Sequence, residues 1–228
     1  MLKTTLNSPI EQSNLVAQVE LRLYRAMASG ELKPGARIVE AELSRRLEIS
    51  RAPIREAARR LEKRGLVRWI PRRGFFVREL TARDVVEIYG TRIALEAYAV
   101  PIAATLAGPE DLEALNAILT EVRSATAEHD SEKLVEADLA FHRRVCSITG
   151  NARLLAAFDD LASELRLALT FVNRGFGTGA RFESTHQGLL KALTSGDGEA
   201  ARRAFIAHLE HSCEVLSSSL AAAASQKK

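Results

Sequence analysis

Asp138 and His142 stand four residues apart in the stretch EADLAFHRRVC, residues 136–146. On a helix that spacing stacks a carboxylate and an imidazole on one face. Two further histidines, His186 and His208, lie on segments joined by the short turn SGDGE, one 11 residues before Asp197 and the other 11 after it. A short connection makes two helices antiparallel neighbours, and equal travel from the turn leaves both imidazoles at one height. Three imidazoles and a carboxylate converging in a helical bundle make a site for a divalent transition metal. The competing reading is four unrelated core residues, each satisfied by its own hydrogen bond. Zinc is the first candidate, with nickel and manganese as alternatives, because imidazole and carboxylate accept all three. His211, one turn past His208, could compete as a ligand and reads as a helper or bystander, and Cys146, one turn past His142, as packing.

These side chains need a scaffold. Beyond Thr81 the periodicity predicts only helices: Asp84–Leu106, Glu110–His129, Ser131–Thr149, Ala152–Asn173, Ala180–Ser195 and Gly198–Leu220. The tail AAAASQKK is expected to fray.

The front of the chain has a different character. Residues 1–80 hold 17 Lys and Arg against 9 Asp and Glu, a balance of +8, while residues 81–228 hold 15 against 20, a balance of −5. A basic part joined to an acidic part suggests that the first meets a polyanion. Helices are expected over Ser13–Ser29, Glu40–Leu47 and Ser50–Arg64, with LKPGARI and EIS as turns between them. Ser50 reads as an N-cap, and Pro53 falls in the first helical turn, where its missing N–H does no harm. Val67, Trp69 and Ile70, then Phe75, Phe76 and Val77, read as two short strands around PRRG. Two helices and a basic-tipped hairpin make a winged helix-turn-helix. Its second helix would enter the major groove by its N-terminal end, bringing Ser50, Arg51 and Arg55 to bases or phosphates, with Arg72, Arg73 and Gly74 at the wing tip. Arg59, Arg60, Lys63 and Arg64 read equally well as a solvated face.

The expected fold is therefore mainly α: a winged helix-turn-helix over residues 10–80, an all-α bundle over 81–220 and a flexible tail over 221–228. Two cysteines provide no disulfide framework, the amino terminus lacks the apolar core of a signal peptide, and IALEAYAVPIAATLA is too short for a bilayer. These features point to a cytoplasmic protein with no membrane partner.

The stretch GELKPGARIVEAELSRRLEISRAPIREAARRLEKRGLVRWIPRRGFFV resembles the DNA-binding domain of the GntR family of bacterial transcription regulators. The Pro-Gly turn, the Ser-Arg-x-Pro-x-Arg-Glu-Ala run and the Arg-Gly wing occur in order. By that resemblance Arg51, Arg55 and Gly74 match operator-contacting positions, with Arg45 near them, and Ala52 stands where the family often has Thr. Residues 84–216 look like the helical effector domain of the FadR-type branch, whose metal-binding members use an Asp and three His. Those ligands match Asp138, His142, His186 and His208.

The resemblance implies a homodimer on double-stranded DNA with a palindromic operator, controlled by a small carboxylate bound at the open positions of the metal. Arg92 corresponds to a pocket arginine that can grip such an effector, the alternative being a surface ion pair with Glu96. Asn173 and Arg174 are further effector candidates. Two other functions stay open at this point, a metal-dependent hydrolase or lyase and a regulator whose ion is purely structural.

Overall fold

The computed structural model describes residues 12–128, 130–172 and 179–225. The chain divides into two compact units, one ending at Glu79 and the other beginning at Leu80.

In the first unit, α1 (Gln12–Ala28) buries Val16, Val19, Leu23 and Met27 along one stripe, and α3 (Arg51–Lys63) answers with Ile54, Ala57, Ala58 and Leu61. Between them α2 (Glu40–Leu47) packs on α3 and ends at Glu48 in the left-handed conformation, φ 54°. Ser50 does occupy the N-cap position of α3, with extended backbone, but its hydroxyl makes no capping bond.

The wing is larger than the two strands expected. A two-residue strand β1 (Arg37–Ile38) joins β2 (Val67–Ile70) and β3 (Gly74–Val77) in an antiparallel sheet of order β1-β3-β2. Ile38 faces Phe75 and Arg37 faces Phe76. The Pro-Gly turn lies directly before this strand, so LKPGARI is a turn only through its first half. Gly35 adopts φ +77°, and a Cβ there would come 2.9 Å from Glu79 Oε1. Phe75 and Val77 alternate into the core beside Ile38 and Val67.

The second unit is the expected all-α bundle: α4 (Ala82–Leu106), α5 (Pro109–Ala127), α6 (Ser131–Ile148), α7 (Ala152–Val172), α8 (Gly179–Leu193) and α9 (Gly198–Ser225). Thr81 and Asp84 form a capping box at the head of α4, and the Asp130 side chain accepts from Lys133 N to cap α6. Asp197 caps α9, accepting from the backbone of Glu199 and Ala200. That helix continues to Ser225, past the end expected at Leu220, because the alanines that follow are the strongest helix formers. The core is built from Val100, Leu115, Phe141, Leu189 and Phe205, one from each of five helices. Cys146 packs with Ala99, Leu154 and Phe158 in a second apolar cluster, as expected. Among the described residues, no helix is long and apolar enough to cross a membrane.

Candidate metal centre and nucleic-acid face

Helix α6 carries Asp138 and His142 on its inward face, α8 brings His186, and α9 brings His208. One ligand atom from each of these four lies within 4.8 Å of the others. Asp138, His142 and His186 are buried, and His208 is partly so. His186 Nε2 is 3.2 Å from Asp138 Oδ1, and His142 Nε2 is 3.9 Å from the same oxygen. The rings pack tightly: His142 and His208 stack with centroids 5.4 Å apart, and His186 meets His208 edge-on at 5.0 Å. Phe141 lies edge-on to His142 and His186, and Phe205 edge-on to His142, closing the cluster with apolar walls. His211 is exposed and stands outside the cluster. His129 and the effector candidates Asn173 and Arg174 lie outside the described residues.

A layer behind the histidines comes from α4. Glu96 Oε2 is 2.5 Å from His142 Nδ1, while Arg92 Nε donates to Glu96 Oε1 at 2.7 Å and Arg92 Nη2 to Asp138 Oδ2 at 3.3 Å. The pair anticipated between Arg92 and Glu96 therefore forms, but in the core rather than on the surface: the side chains are 1% and 0% exposed. The sequence shows the Arg-x-x-x-Glu spacing but not that other helices cover it. Sequence spacing does not single out Glu96 as a site residue. Its one signal is a carboxylate in an otherwise apolar run, which has to be paired if buried.

Burial alone would push the Glu96 carboxyl up, but His142 and Arg92 outweigh it and hold it at about 2. Burial acts likewise on Asp138, and Arg92, with the hydrogen bond from His186, drives it well below the usual carboxylate range. Burial lowers His142, Glu96 opposing, so the ring is neutral at neutral pH. His208 is lowered to about 3 by burial and then by the neighbouring His142 and His186. An ionised Glu96 can only accept, so His142 carries its proton on Nδ1 and turns the Nε2 lone pair into the cluster. That nitrogen is buried and has no hydrogen-bond partner. Two carboxylates face one guanidinium, an excess of negative charge in a buried place. Donor atoms that share one zinc ion sit about 3.4 Å apart, so Asp138, His142, His186 and His208, whose ligand atoms lie within 4.8 Å of one another, would hold a divalent ion after inward shifts on the order of 1 Å.

In the first unit, Arg45, Ser50, Arg51, Arg55, Arg72 and Arg73 are all exposed, and Gly74 is half-buried with φ +94°. Arg45, Arg51 and Arg72 have no carboxylate partner among the described residues. Arg55 is paired with Glu40. Arg73 lies over the Phe76 ring at 5.3 Å. Arg59 is not a free surface charge: its guanidinium sits 4.9 Å from the Trp69 ring centre and 5.0 Å from that of Phe75, and it pairs with Glu62. It ties the second helix of the helix-turn-helix to the sheet. Arg60 and Arg64 pair with Glu56 and Glu20.

Residues 15–77 match the family model described as bacterial regulatory proteins, gntR family, and residues 87–211 match the FCD domain. The chain is 32% identical over 197 residues to an uncharacterized HTH-type transcriptional regulator, YdhC, of Bacillus subtilis, covering 86% of this chain and 88% of the relative. It is 30% identical over 200 residues to a probable D-xylose utilization operon transcriptional repressor of Paenarthrobacter nicotinovorans, covering 88% of each. Among solved structures, a putative transcriptional regulator GntR from Rhodococcus superposes with a TM-score of 0.76 at 27% identity, covering 89% of this chain and 97% of that one.

Proposed function

The chain belongs to the bacterial gntR family of regulators and carries an FCD domain behind its DNA-binding unit, and from that premise we propose that a small carboxylate, captured at a divalent metal in the helical unit, sets its hold on an operator. It is a transcriptional regulator, as its relatives are by name, and not an enzyme. The proposal adds that it represses, in keeping with the repressor named among those relatives. It also adds that the chain acts in the cytoplasm as a homodimer on a palindromic site.

The observation carrying the metal is the convergence of four donors from three helices around the unpartnered Nε2 of His142. A buried polar atom with no partner costs about 1–3 kcal/mol, and a cation turns that lone pair from a penalty into a bond. Zinc is the first choice for this donor set, ahead of nickel and manganese. A bound ion would supply vacant coordination positions suited to carboxylate oxygens. The chain's own residues do the rest. Glu96 fixes the proton of His142 on Nδ1, and such outer partners orient a ligand as well as tune it. Arg92 keeps Asp138 ionised and supplies positive charge toward an arriving anion. Phe141 and Phe205 exclude water from the imidazoles. Asn173 is proposed to complete the effector site.

The test is elemental analysis of the purified protein, followed by anisotropy titration of duplex DNA from its own promoter region with mono-, di- and tricarboxylates. The zinc-loaded chain should bind one ion per chain and show a carboxylate-dependent change in DNA affinity of about 5- to 150-fold. Chelation should abolish the response. The deep burial of His142 and His186 favours one rival, an ion that only holds the bundle together. That rival wins if chelation lowers the melting temperature while the carboxylate response survives.

A further inference from the structure

Among the described residues, Arg55 is the one proposed DNA contact with a carboxylate built beside it. Its side chain is 63% exposed, on the outer face of α3, yet its Nε and Nη2 donate to Glu40 Oε2 at 3.2 and 2.7 Å, with Oε1 3.3 Å from Nε. Glu40 is largely shielded and is the first residue of α2, where the backbone N–H groups of the helix start favour a carboxylate. The acid therefore sits where its own helix favours negative charge, and it holds the arginine through the bonds from Nε and Nη2. Arg45 and Arg51, its neighbours on this face, have no such partner among the described residues.

A guanidinium carries five N–H donors in one plane. Glu40 occupies the edge formed by Nε and Nη2. The hydrogens at the far end, on Nη1 and the outer side of Nη2, remain available as a second pair of parallel donors. In the major groove guanine alone offers two adjacent acceptors, O6 and N7, whereas adenine sets a donor beside its acceptor. A fork held end-on therefore selects guanine, and holding it in advance removes part of the rotamer freedom the arginine otherwise loses on binding.

We propose that Glu40 is a positioning residue that holds Arg55 as a guanine-reading fork. The inference rests on the DNA-reading role of this unit and names the base it reads. It gives Glu40 two opposed effects: the acid sharpens binding at the right base and, being an anion near phosphates, weakens binding everywhere else. A carboxylate that merely clamped α2 to α3 would share the second effect but lack the first.

The full-length chain is used to enrich a binding site from a randomised duplex pool, and each guanine of that site is then replaced singly by 7-deazaguanine, which lacks the N7 acceptor. For the wild-type chain, one replacement should weaken binding about fivefold or more, and Arg55→Met, which leaves no donor, should abolish that sensitivity. Glu40→Gln should cut the same penalty below about twofold while binding to a poly(dI-dC) duplex tightens about twofold. The charge-swapped variant Glu40→Arg with Arg55→Glu should regain the melting temperature of the parent without regaining the base preference. A Glu40→Gln variant that keeps the full penalty overturns the inference, as does a swapped variant that reads guanine. A pool from which the wild-type chain enriches nothing overturns the DNA-reading assignment itself, and the inference with it.

Discussion

Acidifying the metal-free protein should destabilise its helical unit well before most carboxylates titrate. His208 sits at about 3 in the folded chain because burial and two neighbouring imidazoles disfavour its charge, whereas an unfolded chain carries it near 6.5. Between those values the unfolded state binds a proton that the folded state does not, so stability falls as pH falls, by about 1.4 kcal/mol per pH unit. From pH ~6.5 to ~4.5, His208 alone should remove about 2.3 kcal/mol, a large part of the roughly 5–15 kcal/mol typical of a domain. His142, lowered by burial, acts in the same sense. Glu96 adds to it further down: its folded value is about 2 against roughly 4.3 unfolded, so its stabilisation is complete above the unfolded value and is lost as pH drops below it. The assay is urea unfolding in a chelating buffer at several pH values, followed by the helical circular dichroism. His208→Leu should flatten the curve by close to one proton's slope between pH ~6.5 and ~4.5. Parallel curves for the two proteins over that interval would refute the reasoning.

Glu96→Gln should weaken zinc binding about 10- to 100-fold while leaving the four ligands in place, read by competition with a chromophoric chelator. Arg51→Ala should cost about 1–3 kcal/mol of specific DNA binding if it reads a base. Arg72→Ala should instead weaken binding to all sequences alike and reduce the slope of log K against log salt by about 0.9. Both are read by anisotropy at several salt concentrations. Gly198→Ala would set a Cβ 3.1–3.3 Å from the Cα, O and Cβ of Pro101. Overpacking of backbone against backbone should destabilise the bundle by about 1–3 kcal/mol, visible in the urea midpoint.

Local spacing made much of this protein legible before its structure. The breakers Pro34 and Gly35, the cap position at Ser50 and the alternation around Phe75 are short-range signals, and the winged helix follows from them. The four histidine-cluster residues were also readable, because a hairpin of helices converts equal sequence distance from a turn into equal height. What stayed hidden depends on contacts between distant segments. Strand β1 is two residues long and exists only because β3 pairs with it. Arg92 and Glu96 look like any surface pair until α6 and α9 cover them. The bonds from Glu96 to His142 and from Glu40 to Arg55 span 46 and 15 residues, and no periodicity announces them.

Trp69 is the chain's sole tryptophan, 41% exposed in the wing with the Arg59 guanidinium against its ring. The histidine cluster belongs to the other unit and contains no indole. Emission excited at the red edge of protein absorption thus comes from the DNA-reading side alone. A shift in that light when zinc or an organic acid is added would be label-free testimony that a message had crossed from one half of the molecule to the other.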